Sequence, residues 1–240
     1  CKLAALIWLL MEQRSSLLVA AGPSFAGKST LLHALLDFLP PGQEKINLRG
    51  YFEDFHFLSY SSPDSSYLVT EEISNHSYDY LWGVKAQRAF NLLPKGYPLG
   101  GTIHARTAEE AIWVLNNWLG IPVPVISRLG VIVVLRARAG RNMFEDPVRR
   151  INSVSLVSPA TDGLTLQTLA ARRFTERGFD YQSEQTLQAA INTRFPALNC
   201  SFKNEVEFRE HYLRHLRKKD KITRIAVRKA VVEYYRTVHK

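Results

Sequence analysis

At 240 residues, with ordinary apolar content and a formal net charge of +9, the chain has room for one α/β domain plus a smaller appendage and is clearly basic. Its two cysteines, Cys1 and Cys200, stand far apart without metal-ligand spacing, which excludes a disulfide framework and suits a reducing cytoplasm. The apolar stretch 3–11 is too short to span a bilayer and is followed by Glu12 and Arg14, so it reads as a buried helix.

A chain that begins with Cys1 instead of Met reads as a fragment, so missing targeting signals carry no weight. Residues 17–21 form an apolar run of the kind a buried parallel strand shows. Gly22, Pro23, Ser24, Phe25, Ala26, Gly27, Lys28, Ser29 and Thr30 then fit G-x-x-x-x-G-K-[ST], and Leu31, Leu32, Leu35 and Leu36 leave the motif at helical spacing. In such a strand-loop-helix, backbone N–H groups wrap the phosphates of a nucleotide and the helix N-terminus adds a favourable dipole. Lys28 is expected to reach the β- and γ-phosphates of ATP, and the Ser29 hydroxyl to ligate Mg²⁺.

Pro40, Pro41 and Gly42 stop the helix. A weak strand follows at 45–48, then the acids Glu53 and Asp54, then a turn-rich stretch at 59–66. Residues 67–70 read as a strand that ends on Glu71, Glu72 and Ile73, and 78–93 carries helical periodicity. Another buried strand, 99–103, ends at His104. Thr107 and Glu110 look like a capping box opening a helix through Leu119. The β-branched run 131–135 is of central-strand type, and 154–157 with 164–169 suggests a late hairpin. Strands alternating with helices predict an α/β fold with a mostly parallel, doubly wound sheet. After Arg172 and Arg173 the chain turns helical and polar, without further strand signal. The predicted division is a P-loop ATPase domain over 1–173 and a basic helical C-terminal domain over 174–240. Residues 203–240 carry twelve Lys or Arg against five Asp or Glu.

A P-loop enzyme needs a second acid at the end of a neighbouring strand, to hold Mg²⁺ through water or to orient the attacking water. Glu71 and Glu72 are the acids directly after a strongly apolar strand, and since alternate strand residues face opposite sides, one of them should point at the phosphates. His104 ends another strand, and in a parallel sheet strand ends meet at the ligand crevice, so it is a candidate sensor of the γ-phosphate.

The order of these motifs resembles the ATPases of type II and type IV secretion and of type IV pilus assembly, which have a RecA-like fold. The stretch Gly-Gly-Thr-Ile-His-Ala-Arg-Thr-Ala-Glu-Glu, residues 100–110, is similar to their histidine box and the helix after it. By this resemblance Glu72 matches the Walker B glutamate, with Glu71 in the place of the family's glycine, and His104 matches the histidine of the box. Glu53 and Asp54 resemble the acidic box. The resemblance implies hydrolysis of Mg-ATP, with Glu72 orienting the water and Mg²⁺ held by Ser29 and Glu72. It also implies a homo-oligomer, a hexamer in the family, working beside a membrane-protein partner at the inner face of the membrane. The family's arginine-bearing segment before the Walker B strand is reduced here to 55–66, which holds no arginine. Arg88, Arg106 and Arg128 are the remaining candidates near strand ends, and Arg106, directly after the histidine box, is the first choice for supply to a neighbour.

Two other function classes stand beside hydrolysis: a nucleotide-binding switch with little turnover, suggested by the missing arginine segment, and a nucleic-acid-binding module using Arg217, Lys218, Lys219 and Lys221, a basic run near Tyr234 and Tyr235 that could equally touch anionic lipid. His211 and His215 have metal-pair spacing, but Tyr212 stands where H-E-x-x-H requires glutamate, and they read as a solvated helix face. Trp82, Trp113 and Trp118 lie on predicted helices and read as core or interface anchors.

Overall fold

The computed structural model describes residues 1–22, 26–138, 147–173, 178–196, 198, 202–221 and 223–238. Five parallel strands come from residues 17–138: β1 (Leu17–Ala20), β2 (Glu44–Asn47), β3 (Ser66–Ile73), β4 (Leu99–Ile103) and β5 (Val131–Arg138). Three antiparallel strands extend them: β6 (Val148–Ala160), β7 (Gly163–Arg172) and β8 (Phe179–Tyr181). The order across the sheet is β2-β3-β4-β1-β5-β6-β7-β8. The apolar runs explain the centre: β1 is buried along its whole length, and so is β4, as strands covered on both faces must be.

Helices cover both faces. On one lie α1 (Lys2–Glu12) and α2 (Lys28–Leu36), whose Leu32, Leu35 and Leu36 pack with Val19, Val131 and Val133. On the other lie α3 (Gly83–Phe90), α4 (Ala108–Trp113) and α5 (Val123–Ile126), packed on Leu18, Ala20, Ile132 and Val134. The chain therefore leaves β1 and β4, which are neighbours, toward opposite faces. That is the arrangement in which an α/β sheet opens a crevice at its strand ends.

The C-terminal helices are α6 (Glu184–Arg194), α7 (Phe202–Lys218) and α8 (Arg224–Val238). They share one apolar cluster with α1. A helix that is apolar all round must be covered all round, and α1 buries eight of its eleven residues. Trp8 stacks on Phe38, lies edge-on to Tyr234 at 4.6 Å, and donates its indole N–H to the Tyr235 hydroxyl at 3.0 Å. Arg209, fully buried on α7, pairs with Glu12 and Glu205. Among the described residues no helix is long and apolar enough to cross a membrane.

Three sequence expectations are corrected. The helix expected over 78–93 is shorter, because Ser77 Oγ accepts the Asp79 N–H in a local turn and Gly83 takes a left-handed conformation, φ +55°, before α3 proceeds. The helix after Thr107 is α-helical only to Trp113 and continues as a π-turn over Val114–Trp118. Trp113 and Trp118 consequently form an exposed ring pair, with centroids 5.4 Å apart, and are not core. A strand, β8, occurs within 174–240 as a three-residue edge, too short to leave a period-two pattern.

Candidate active site

The β1 ladder continues one step past the strand, Ala21 N–H donating to the Ile103 carbonyl at 3.2 Å, and this brings the ends of β1 and β4 together. Gly22 follows. A β-carbon there would stand 2.7 Å from Arg106 Cγ, so any larger residue at this turn would have to displace the Arg106 side chain. Pro23, Ser24 and Phe25 lie outside the described residues. Gly27 takes φ +87°, a left-handed conformation that opens α2, and Lys28 is its first helical residue.

Lys28 is buried, and its ammonium sits 3.3 Å from His104 Nε2 and 3.7 Å from Glu72 Oε2. Burial pushes the Lys28 amine below its ordinary value, against the pull of the Glu72 carboxylate. Glu72 Oε1 is 3.1 Å from His104 Nε2 and accepts the Ser74 hydroxyl at 2.9 Å. His104 Nδ1 lies 3.3 Å from the Gly22 carbonyl. Three elements thus converge: the first turn of α2, the end of β3 and the end of β4.

Glu72 faces this point because β3 changes register between Thr70 and Ile73. Thr102, fully buried on β4, donates its hydroxyl to the Glu71 carbonyl at 2.6 Å and pins that irregularity. Glu71 itself is exposed and pairs with His33 at 2.8 Å. The two adjacent glutamates therefore part, and Glu72 is the one in the cleft.

A cleft of ≈ 1010 Å³ opens over this cluster. Ala26, Gly27, Lys28, Ser29, Thr30, Glu72 and His104 line it, together with His76, Tyr80, Arg149 and Arg150. Arg106 is exposed beside Gly22 and is not among the lining residues. Its backbone N–H donates to Glu110, whose backbone N–H in turn donates to Thr107 Oγ1; the expected capping box therefore reaches one residue further back than usual. Arg88 lies over the Phe55 ring, and the Arg128 carbonyl accepts from Arg194. Glu53 is buried away from the cleft, accepting the backbone N–H groups of Arg49 and Phe55, while Asp54 pairs with Arg49.

Sequence reasoning missed His76, Arg149 and Arg150. His76 sits in the loop after β3, its ring 5.6 Å from that of His104, and the rule that loops after parallel strands meet at the crevice would have found it. Ser29 and Glu72 provide a hydroxyl and a carboxylate oxygen on one cleft, the donor set Mg²⁺ takes. Among the described residues the one three-member group of potential metal ligands is Glu72, His76 and His104; the spacing of His211 and His215 produces none.

A scan against protein-family models finds no match, and neither does a search of curated proteins. Among solved structures the chain is similar to the VirB11 ATPase from the Brucella suis type IV secretion system, determined in complex with sulphate. The identity is 20% and the TM-score 0.40, over 62% of this chain and 50% of that one. The chain thus spans about half the length of that structure. A likeness of this size leaves the chemistry to be argued from the residues of this chain.

Proposed function

We propose that the chain binds Mg-ATP in the cleft between α2 and the ends of β3 and β4 and hydrolyses it, as a RecA-like P-loop ATPase of the kind that drives secretion and pilus assembly. The observation that carries this reading is the meeting of Lys28, Glu72 and His104 within hydrogen-bond and ion-pair distance at the ends of adjoining elements. The strand order supports it, because β4 stands between the P-loop strand and the strand that bears the glutamate, as in RecA-like folds.

Lys28 exchanges its Glu72 and His104 partners for the β- and γ-phosphates, leaving Glu72 to orient a water. The water oxygen forms a bond to the γ-phosphorus and its proton passes to Glu72. The bond from that phosphorus to the bridging oxygen breaks, its electron pair leaving on ADP. Ser29 directly, and Glu72 through water, would hold Mg²⁺, which when bound neutralises charge on the β- and γ-phosphates. His104, touching both the Gly22 carbonyl and Glu72, reports the state of the phosphate loop to the acid.

Assembly belongs to this proposal. Arg106, exposed and not lining its own cleft, serves a neighbouring copy in a ring under this reading, and a peripheral position at a membrane face comes from the resemblance to secretion and pilus ATPases. One observation favours the alternative of a slow switch: the Lys28–Glu72 pair occupies the two residues that turnover needs free. Calorimetric titration with Mg-ATP and a phosphate-release assay test the reading. The parent chain should bind and turn over ATP, and Lys28→Ala should weaken binding severely with the fold intact. Equal affinities for parent and variant contradict the proposal; binding without turnover in the parent selects the switch.

A further inference from the structure

The cleft has a second flank. β1 stands between β4 and β5, so β3 and β4 bring Glu72 and His104 to one side of the phosphate loop, and β6 lies on the other, beyond β5. Arg149 of β6 pairs in register with Ala137, which packs in the same cluster as Leu32 and Leu35 of α2. A β-carbon on Gly27 would stand 3.2 Å from Arg149 Cδ and 3.9 Å from its Nε. The guanidinium is therefore carried at the rim of the phosphate loop, in the cleft that Lys28 also lines. Arg150, one residue on, is opposite Arg136 in the ladder and donates to the Arg149 carbonyl at 2.9 Å, which steadies this end of β6.

We infer that Arg149 is a catalytic residue of the chain's own site, contacting γ-phosphate oxygens in cis from the flank opposite Glu72. The inference rests on the proposed hydrolysis. Charge spreads over the γ-phosphate oxygens as the bridging bond breaks, and a planar guanidinium with paired N–H donors matches those oxygens better than a second lysine. The segment 55–66, between Glu53–Asp54 and β3, holds no arginine, and Arg88, Arg106 and Arg128 do not line the cleft. β6 brings an arginine where those elements do not.

Arg149→Gln and Arg149→Lys, each checked for an unchanged circular-dichroism melt, are compared with the parent. In Arg149→Gln, kcat should fall by about 10²–10³-fold. Its preference for ATP over ADP, read by competition against a fluorescent nucleotide, should shrink by about tenfold. Arg149→Lys should recover part of both. Mixing Arg149→Gln with Lys28→Ala should restore no turnover, because no site then has both groups from one chain. Turnover and nucleotide preference both unchanged in a folded Arg149→Gln overturn the inference, and recovery in the mixture overturns its cis geometry. If the parent itself does not hydrolyse ATP, the proposed function fails, and the nucleotide preference alone still decides whether Arg149 touches the γ-phosphate.

Discussion

Thr102 shows how one buried hydroxyl serves a site it does not enter. Its bond to the Glu71 carbonyl holds the irregular step of β3 that turns Glu72 inward and Glu71 outward to His33. Thr102→Val keeps the shape and removes the donor, leaving the buried Thr102 position without its bond to the part-buried Glu71 carbonyl. A stability loss of about 0.5–1.5 kcal/mol should follow. Because the affected backbone carries Glu72, turnover should fall while ATP affinity holds, a split that mere destabilisation below the melting range does not produce. Equal kcat in parent and Thr102→Val would show that Glu72 is positioned by other means. At this scale the sequence was most readable where chemistry imposes a spacing. Gly22, Gly27, Lys28 and the strand-end acids follow from the phosphate loop and strand alternation. His76 was readable only through the rule that loops after parallel strands meet at the crevice, and Arg149 was not, since it reaches the cleft on a strand extension that leaves no pattern of its own.

Among the elements, α2 couples Gly27 and Lys28 to the C-terminal helices. Its C-cap, Asp37, is buried and accepts the Arg224 guanidinium, with an Nη2–Oδ1 distance of 3.2 Å, and lies 3.5 Å from Lys45. Burial works to raise the Asp37 carboxyl. The hydrogen bond from Arg224 and the charges of Lys45, Arg224 and Arg228 outweigh it and hold the group below its ordinary value. A depressed carboxyl stabilises the fold above its unfolded value of about 3.9, and that contribution is lost as the pH falls through the folded value. Urea midpoints of the parent should therefore drop on going from about pH 5 to below about pH 3, and Asp37→Asn should start lower and drop less. Parallel profiles would mean the pair contributes nothing. The central strands were legible because parallel strands buried on both faces read as unbroken apolar runs, as 17–21 and 131–135 do. The outer half of β6 was not: Val148, Arg149 and Arg150 are exposed, and their pairing with β5 leaves no periodic mark.

For the whole molecule, α1 is the joint between sheet and C-terminal helices. Trp8 touches Phe38 after α2, Tyr212 on α7, and Tyr234 and Tyr235 on α8. Trp8→Ala should cost about 3–5 kcal/mol, as for a fully buried aromatic with no room to collapse, and should lower one cooperative unfolding transition. Two separated transitions in the variant would show that 174–240 unfolds as a unit of its own. The apolar character of 3–11 was plain in the sequence; that α7 and α8 are what cover it was not, because amphipathic spacing names a buried face and not its partner.

We propose that the cleft of Lys28, Glu72 and His104 hydrolyses ATP with Glu72 orienting the water. The most direct test is single-turnover hydrolysis of bound Mg-ATP by the parent, Glu72→Gln and Glu71→Gln. Glu72→Gln should keep ATP binding and lose hydrolysis by about 10²-fold or more, since the amide no longer accepts the water's proton, and Glu71→Gln should hydrolyse nearly as the parent does. Normal hydrolysis by Glu72→Gln, with loss in Glu71→Gln, would assign the water to Glu71 and overturn the role of Glu72.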